Sequence, residues 1–186
     1  MGKRTAEGET PRSSSKKDGD PSKADNKKVL VVYYSLEGNT KFVAENIAEF
    51  AKADILQLKP IKDISPGLMK YLWGGRMAMM KTEPELEPYD IDPKDYDLIF
   101  IGSPIWAWTF SPPIRSFITR SKLRKKRLAL FITHGNGPKE AMSRFKAALE
   151  GNKILGEIDL FEPVRRGTQK EAKKKLAPWV KKILSG

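Results

Sequence analysis

Residues 28–52, KVLVVYYSLEGNTKFVAENIAEFAK, constrain the fold more than any other stretch of the chain. Val29 to Tyr34 is an unbroken apolar and aromatic run rich in β-branched residues, the pattern of a strand covered on both faces. A small polar segment follows, Ser35-Leu36-Glu37-Gly38-Asn39-Thr40. Phe42, Val43, Ile47, Ala48 and Ala51 then recur at helical spacing and give a helix with one apolar side. The first backbone N–H groups of a helix have no internal partner, and the helix dipole is positive there, so a loop in this place can receive an anion. Ser35 and Thr40 add hydroxyl donors, Asn39 adds an amide, and Gly38 allows a tight turn and a close approach. A phosphate monoester is the ligand that suits such a pocket. Simple capping of the helix by Asn39 or Thr40 accounts for the same residues. Glu37 argues against phosphate unless its side chain points away.

The pattern repeats down the chain. Asp54 to Leu58 reads as a second strand, Tyr96 to Gly102 as a third, Arg127 to Thr133 as a fourth, and Lys153 to Val164 contains a fifth. Helices are expected after Pro112-Pro113, from Glu140 to Leu149, and from Gln169 to Leu184, proline being tolerated in a first helical turn. Strand alternating with helix predicts a parallel sheet with helices on both faces. In such a sheet ligands gather at the carboxyl ends of the strands, where the strand order reverses. The loops after the first, third and fourth strands are the glycine-bearing, polar or aromatic ones, and all three converge at that edge. Ser65 to Pro93 is long for a connection, holds Tyr71, Trp73, Gly74, Gly75 and several methionines, and is expected to act as a lid or to pack beneath its own loop.

Composition removes several kinds of chemistry. The 186 residues suffice for one domain with a real core, and there is no cysteine, so disulfides, thiolate catalysis and cysteine-held metal are excluded. The single histidine, His134, cannot form a multi-histidine metal site. Residues 1–26 are almost free of large apolar side chains and are expected to be a disordered, basic and polar tail ahead of a domain spanning 27–186. No apolar run is long enough to span a bilayer, and the N-terminus lacks the apolar core of a signal peptide, so a cytoplasmic protein is expected. The formal net charge is +12, of which residues 1–28 carry only +3, so most of the basicity belongs to the folded part. Such a charge attracts acidic proteins, nucleic acid or anionic lipid without choosing among them.

These segments together resemble the flavodoxin-like family, and most closely the short flavodoxins and related FMN oxidoreductases. The resemblance runs from about Lys28 to the C-terminus through YYSLEGNT (Tyr33–Thr40), YLWGGR (Tyr71–Arg76), YDLIFIGSPIWAWTFSPPIRSF (Tyr96–Phe117), THGNG (Thr133–Gly137) and ILGEIDLFEP (Ile154–Pro163). It implies a three-layer α/β sandwich whose five-stranded parallel sheet has the order 2-1-3-4-5. It also implies FMN as cofactor. The phosphate would lie on Ser35, Glu37, Gly38, Asn39 and Thr40. Pro104, Ile105, Trp106, Ala107 and Trp108 would line the isoalloxazine, and His134, Gly135, Asn136 and Gly137 would close the other side. Aromatic walls suit a planar π-system, and base–aromatic stacking, a fair analogue, contributes roughly 1–3 kcal/mol. Relatives often carry glycine where Trp108 stands. Backbone freedom there helps hold the one-electron-reduced state, so Trp108 bears on that property rather than on binding. The typical surface of the family is acidic, and this one is basic.

A histidine in the fourth-strand loop would be able to supply a proton to reduced flavin or to a bound quinone, which makes His134 the catalytic candidate; a hydrogen bond that only shapes the loop is the plainer account. Arg120, Lys122, Arg124, Lys125, Lys126 and Arg127 form one basic run, and Arg165, Arg166 and Lys173–Lys175 another. They read as solvated faces or as docking sites for a redox partner protein with an acidic face. Nucleic acid ranks last, because no recognition motif accompanies them. The expected function is electron transfer by an FMN-binding protein. The alternatives are an NAD(P)H-dependent oxidoreductase that reduces a quinone or other small acceptor, and a flavin-free basic protein-binding module.

Overall fold

Alternate residues of the central strands point to opposite sides of one sheet, and both sets are apolar. In the computed structural model, which describes residues 27–62, 80–138 and 140–186 together with Gly2 and Arg76, β1 (Val29–Tyr33) is buried along its whole length. Leu30 and Val32 enter one core, and Val29, Val31 and Tyr33 the other. The same division holds for β3 (Leu98–Trp106), through Ile99 and Ile101 against Leu98 and Phe100, and for β5 (Arg127–His134), through Leu128, Leu130 and Ile132 against Ala129 and Phe131. That is why these strands read as continuous hydrophobic runs.

The parallel strands lie in the order β2-β1-β3-β5-β6, with β2 (Asp54–Gln57) and β6 (Lys153–Phe161) at the edges. Without the short strand β4 (Thr109–Phe110), this is the expected 2-1-3-4-5 order. Helices α2 (Pro112–Ser121) and α3 (Ala141–Ala148) cover the first core through Ile114, Phe117, Met142 and Phe145. Helices α1 (Asn39–Ala51) and α4 (Gln169–Ser185) cover the second through Val43, Ile47, Leu176 and Val180. The three expected layers are all present. The expected disorder of residues 1–26, and residues 65–75 and 77–79 of the Ser65–Pro93 connection, lie outside the described residues, Gly2 apart.

One element departs from the expected pattern. β3 does not stop at Gly102 but continues to Trp106, where it turns back into β4. Ile105 pairs antiparallel with Phe110, and Trp106 with Thr109, leaving Ala107 and Trp108 as a two-residue turn. Both turn residues have positive φ, 45° and 60°, as the tight turns that suit a right-twisted hairpin require. Such turns usually contain asparagine or glycine, so Ala-Trp carries no sequence signal for the hairpin.

Candidate functional site

The carboxyl ends of β1, β3, β5 and β6 meet at one edge of the sheet and enclose a cleft of about 500 Å³, within the ordinary size range of small-molecule sites. Ser35, Glu37, Asn39 and Thr40 line it from the first loop. Pro104, Ile105, Trp106, Ala107 and Trp108 line it from the hairpin, and His134, Gly135, Asn136 and Gly137 from the loop after β5. Gly38 is the one expected member outside the lining. It forms the N-cap of α1 at φ 85°, a conformation natural to glycine, with open space where a side chain would project.

The first loop is shaped from within. The Ser35 hydroxyl accepts the Gly38 N–H at 3.1 Å. The Thr40 and Thr133 hydroxyl oxygens share a hydrogen bond of 2.7 Å, which ties the start of α1 to the end of β5. The Asn39 side-chain oxygen accepts the N–H groups of Val164 and Arg165 at 3.0 and 3.2 Å, so it fastens the loop after β6 rather than capping its own helix. No side chain caps α1, and its first internal bond is Phe42 N–H to Gly38 C=O. The early N–H groups of the helix therefore remain for a ligand. Glu37 is exposed at the rim.

The two tryptophans of the aromatic wall differ in exposure. Trp106 sits edge-on to Tyr34, ring centroids 5.6 Å apart at 90°, and packs on the first core. Trp108, at the tip of the turn, is 52% exposed.

His134 is buried, and both ring nitrogens are engaged inside the protein. Nδ1 accepts the Gly137 N–H at 3.0 Å, which leaves the proton on Nε2 to be donated to Asp159 Oδ2 at 2.9 Å. The ring thus curls the 134–137 loop and fixes it to β6. The proton-donor role expected for His134 requires breaking one of these bonds, whereas the loop-shaping role uses both as they stand.

Five residues of the lining were not among the expected ones: Leu36, Thr133, Glu162, Arg165 and Arg166. The last three belong to the loop after β6, which looks in sequence like one more basic surface run. Glu162 has φ 31°, donates its N–H to His134 C=O at 3.1 Å, and lies against Gly135 so closely that an added Cβ there would be 2.7 Å from its carboxylate oxygen.

A doubly wound parallel sheet with a donor-rich helix start facing an aromatic hairpin defines a nucleotide-type cofactor-binding protein of the open α/β class. The sequence profile of the flavodoxin family matches residues 28–183, and the chain belongs to that family. The flavodoxin-like domain-containing protein BilS of Clostridioides difficile is 28% identical over 159 residues, covering 81% of this chain and 76% of that protein. A flavoprotein of Lactobacillus acidophilus NCFM, solved in complex with FMN, is 26% identical, with a TM-score of 0.63, covering 77% of this chain and 99% of that one. A putative flavoprotein of Bacteroides uniformis superimposes with a TM-score of 0.72 over 83% of this chain and 98% of that one; at 22% identity it speaks for the fold alone. Among the described residues no helix is long and apolar enough to cross a membrane.

Proposed function

We propose that this chain binds FMN in the cleft at the carboxyl edge of its sheet and carries electrons on it. The observation that supports this best is the meeting, across one cleft, of an uncapped helix N-terminus and a tryptophan-bearing hairpin. The two features match the two ends of FMN, a phosphate monoester and a planar ring. The similarity to a flavoprotein solved with FMN supports the same cofactor.

When bound, FMN would supply the electron chemistry, and the chain's contribution is to hold and orient it. The backbone N–H groups at the start of α1 and the hydroxyls of Ser35 and Thr40 receive the phosphate. Trp106, braced by Tyr34, forms a wall for the ring. The 135–137 backbone, held in its curl by His134, faces the ring from the other side. The exposed Trp108 leaves that end of the cleft open to a partner, which favours a carrier over an enclosed enzyme site. A redox partner with an acidic face would suit the chain's net charge of +12.

The test begins with the visible spectrum of the purified protein before and after FMN addition and desalting. Retained flavin bands are expected, and a colourless protein that refuses FMN overturns the proposal. Steady oxidation of NAD(P)H by the flavin-loaded protein alone would replace the carrier with an oxidoreductase. Replacing Trp106 with alanine should weaken FMN binding by about 1–3 kcal/mol. Unchanged affinity measured by fluorescence titration would remove Trp106 from the flavin wall.

A further inference from the structure

We infer that Arg165 and Arg166, presented together by Glu162, are the counter-charge of the FMN phosphate and make the cleft select the phosphorylated flavin over riboflavin. This inference rests on the FMN proposal above. A phosphate monoester carries a charge of about −1.5 to −2 at neutral pH. The helix N-terminus offers the equivalent of roughly +0.5, and Ser35 and Thr40 are neutral. The only charged side chain that the first loop brings to the cleft is Glu37, whose sign is wrong. The first loop alone therefore leaves most of the phosphate charge uncompensated.

The loop after β6 supplies the missing charge at the right end of the cleft. Asn39, the first residue of α1, accepts the backbone N–H of Arg165 at 3.2 Å, so Arg165 is anchored one side-chain length from the start of the helix. The Glu162 carboxylate gathers both guanidinium groups, Arg165 Nη1 at 3.3 Å from Oε1 and Arg166 Nε at 3.7 Å from Oε2. Glu162 is only 12% exposed, while the arginines are 57% and 52% exposed. The carboxylate is thus the enclosed partner of each pair, and the two arginines are the exposed ones. Arg166 is further steadied over the Phe161 ring, 4.6 Å from its centroid. The Glu162 carboxylate and the two guanidinium groups leave this loop at +1, which offsets Glu37 on the same rim and puts two guanidinium groups in the lining. Guanidinium is also the side chain best matched to phosphate oxygens.

The experiment measures dissociation constants of FMN and riboflavin for the wild-type protein, for Arg165→Gln, Arg166→Gln and the double variant, and for the matching lysine variants, at low and moderate salt. Removing each guanidinium is expected to weaken FMN about tenfold, as loss of a partly exposed charge-assisted hydrogen bond would. Riboflavin should change less than about twofold, because it lacks the phosphate. The lysine variants should keep part of the FMN preference, and the double glutamine variant should lose most of the salt dependence of FMN binding. Equal weakening of FMN and riboflavin would mean that the arginines only support the loop, and would overturn the inference. Unchanged FMN affinity in the double variant would overturn it as well, with the FMN proposal intact. A wild-type protein that binds neither ligand would overturn both. Thermal melts of each variant identify any that fail to fold, and the lysine variants then carry the comparison.

Discussion

Trp108 holds a backbone conformation that L side chains rarely adopt, φ 60°, with Ala107 beside it at φ 45°. Left-handed geometry costs a non-glycine residue roughly 1–2 kcal/mol. The replacement Trp108→Gly relieves that strain but loosens the unfolded chain, so stability should hold or rise by up to about 1 kcal/mol. A denaturant midpoint clearly below wild type would show that the indole makes a stabilising contact larger than the strain. Tyr33 offers a test of a different kind. Its hydroxyl donates to Gln57 Oε1 at 3.0 Å, and burial, aided by the Glu45 carboxylate, pushes its pKa from 10.0 to about 12. The unfolded chain then ionises this phenol first. The stability it contributes is complete below pH 10 and is lost as the pH rises towards 12. Tyr33→Phe should therefore flatten the alkaline fall in stability, measured by denaturant melts on either side of that window. An unchanged slope would mean that the phenol ionises alike in both states.

The strands show how a single position can fix an element. Gly102 of β3 lies opposite Phe131 of β5, and a Cβ added to it would lie 2.0 Å from Cζ and 2.1 Å from Cε2 of the phenyl ring. Gly102→Ala should cost about 1–3 kcal/mol through overpacking, and a second change, Phe131→Leu, should restore part of it. Denaturant unfolding of the single and double variants checks the coupling; additive losses would show that the two positions do not share the space. In sequence, Gly102 reads as the last residue of a strand, with nothing to mark a packing constraint. Its packing duty appears only once β5 is laid alongside. The β3–β4 hairpin was hidden for a similar reason. Ala-Trp is not turn chemistry, and the strand continues because its partner, β4, returns at once along its side. The termini of the other strands and helices lay close to where their apolar patterns begin and end.

Charge is divided between the two ends of the molecule. The basic run from Arg120 to Arg127 lies at the C-terminus of α2 and the start of β5, whereas the cleft lies at the far end of that strand. Eight residues of strand separate them by roughly 25 Å. Part of this run is structural: Arg124 Nη1 donates to the carbonyls of Leu123 and Glu150, each at 3.2 Å, and Lys126 Nζ to those of Lys94 and Tyr96. At a Debye length of about 10 Å in 0.1 M salt, its field hardly reaches the cleft. Reversing the exposed Lys122 and Lys125 together to glutamate should accordingly leave FMN affinity within about twofold of wild type at that salt. A tenfold change in a binding titration would show that the two ends are coupled.

The order of strands and helices, the two-sided burial of β1, β3 and β5, the family, and the three loops that converge at the sheet edge were all legible in the residues. Each is written in local periodicity or in short motifs whose physics is local. The roles of Asn39, Glu162, Arg165 and Arg166 were not legible. Asn39 reads as a helix cap, yet its oxygen is bonded to a backbone 125 residues away. The two arginines read as solvated charge, yet the loop after β6 brings both into the lining of the cleft and ties the Arg165 N–H to Asn39. For His134 the sequence left a proton donor and a loop-shaping hydrogen bond both open, and both ring nitrogens are bonded within the protein. Hydrogen bonds between loops carry no periodicity, because they depend on where distant strands end. Only the assembled sheet decides that.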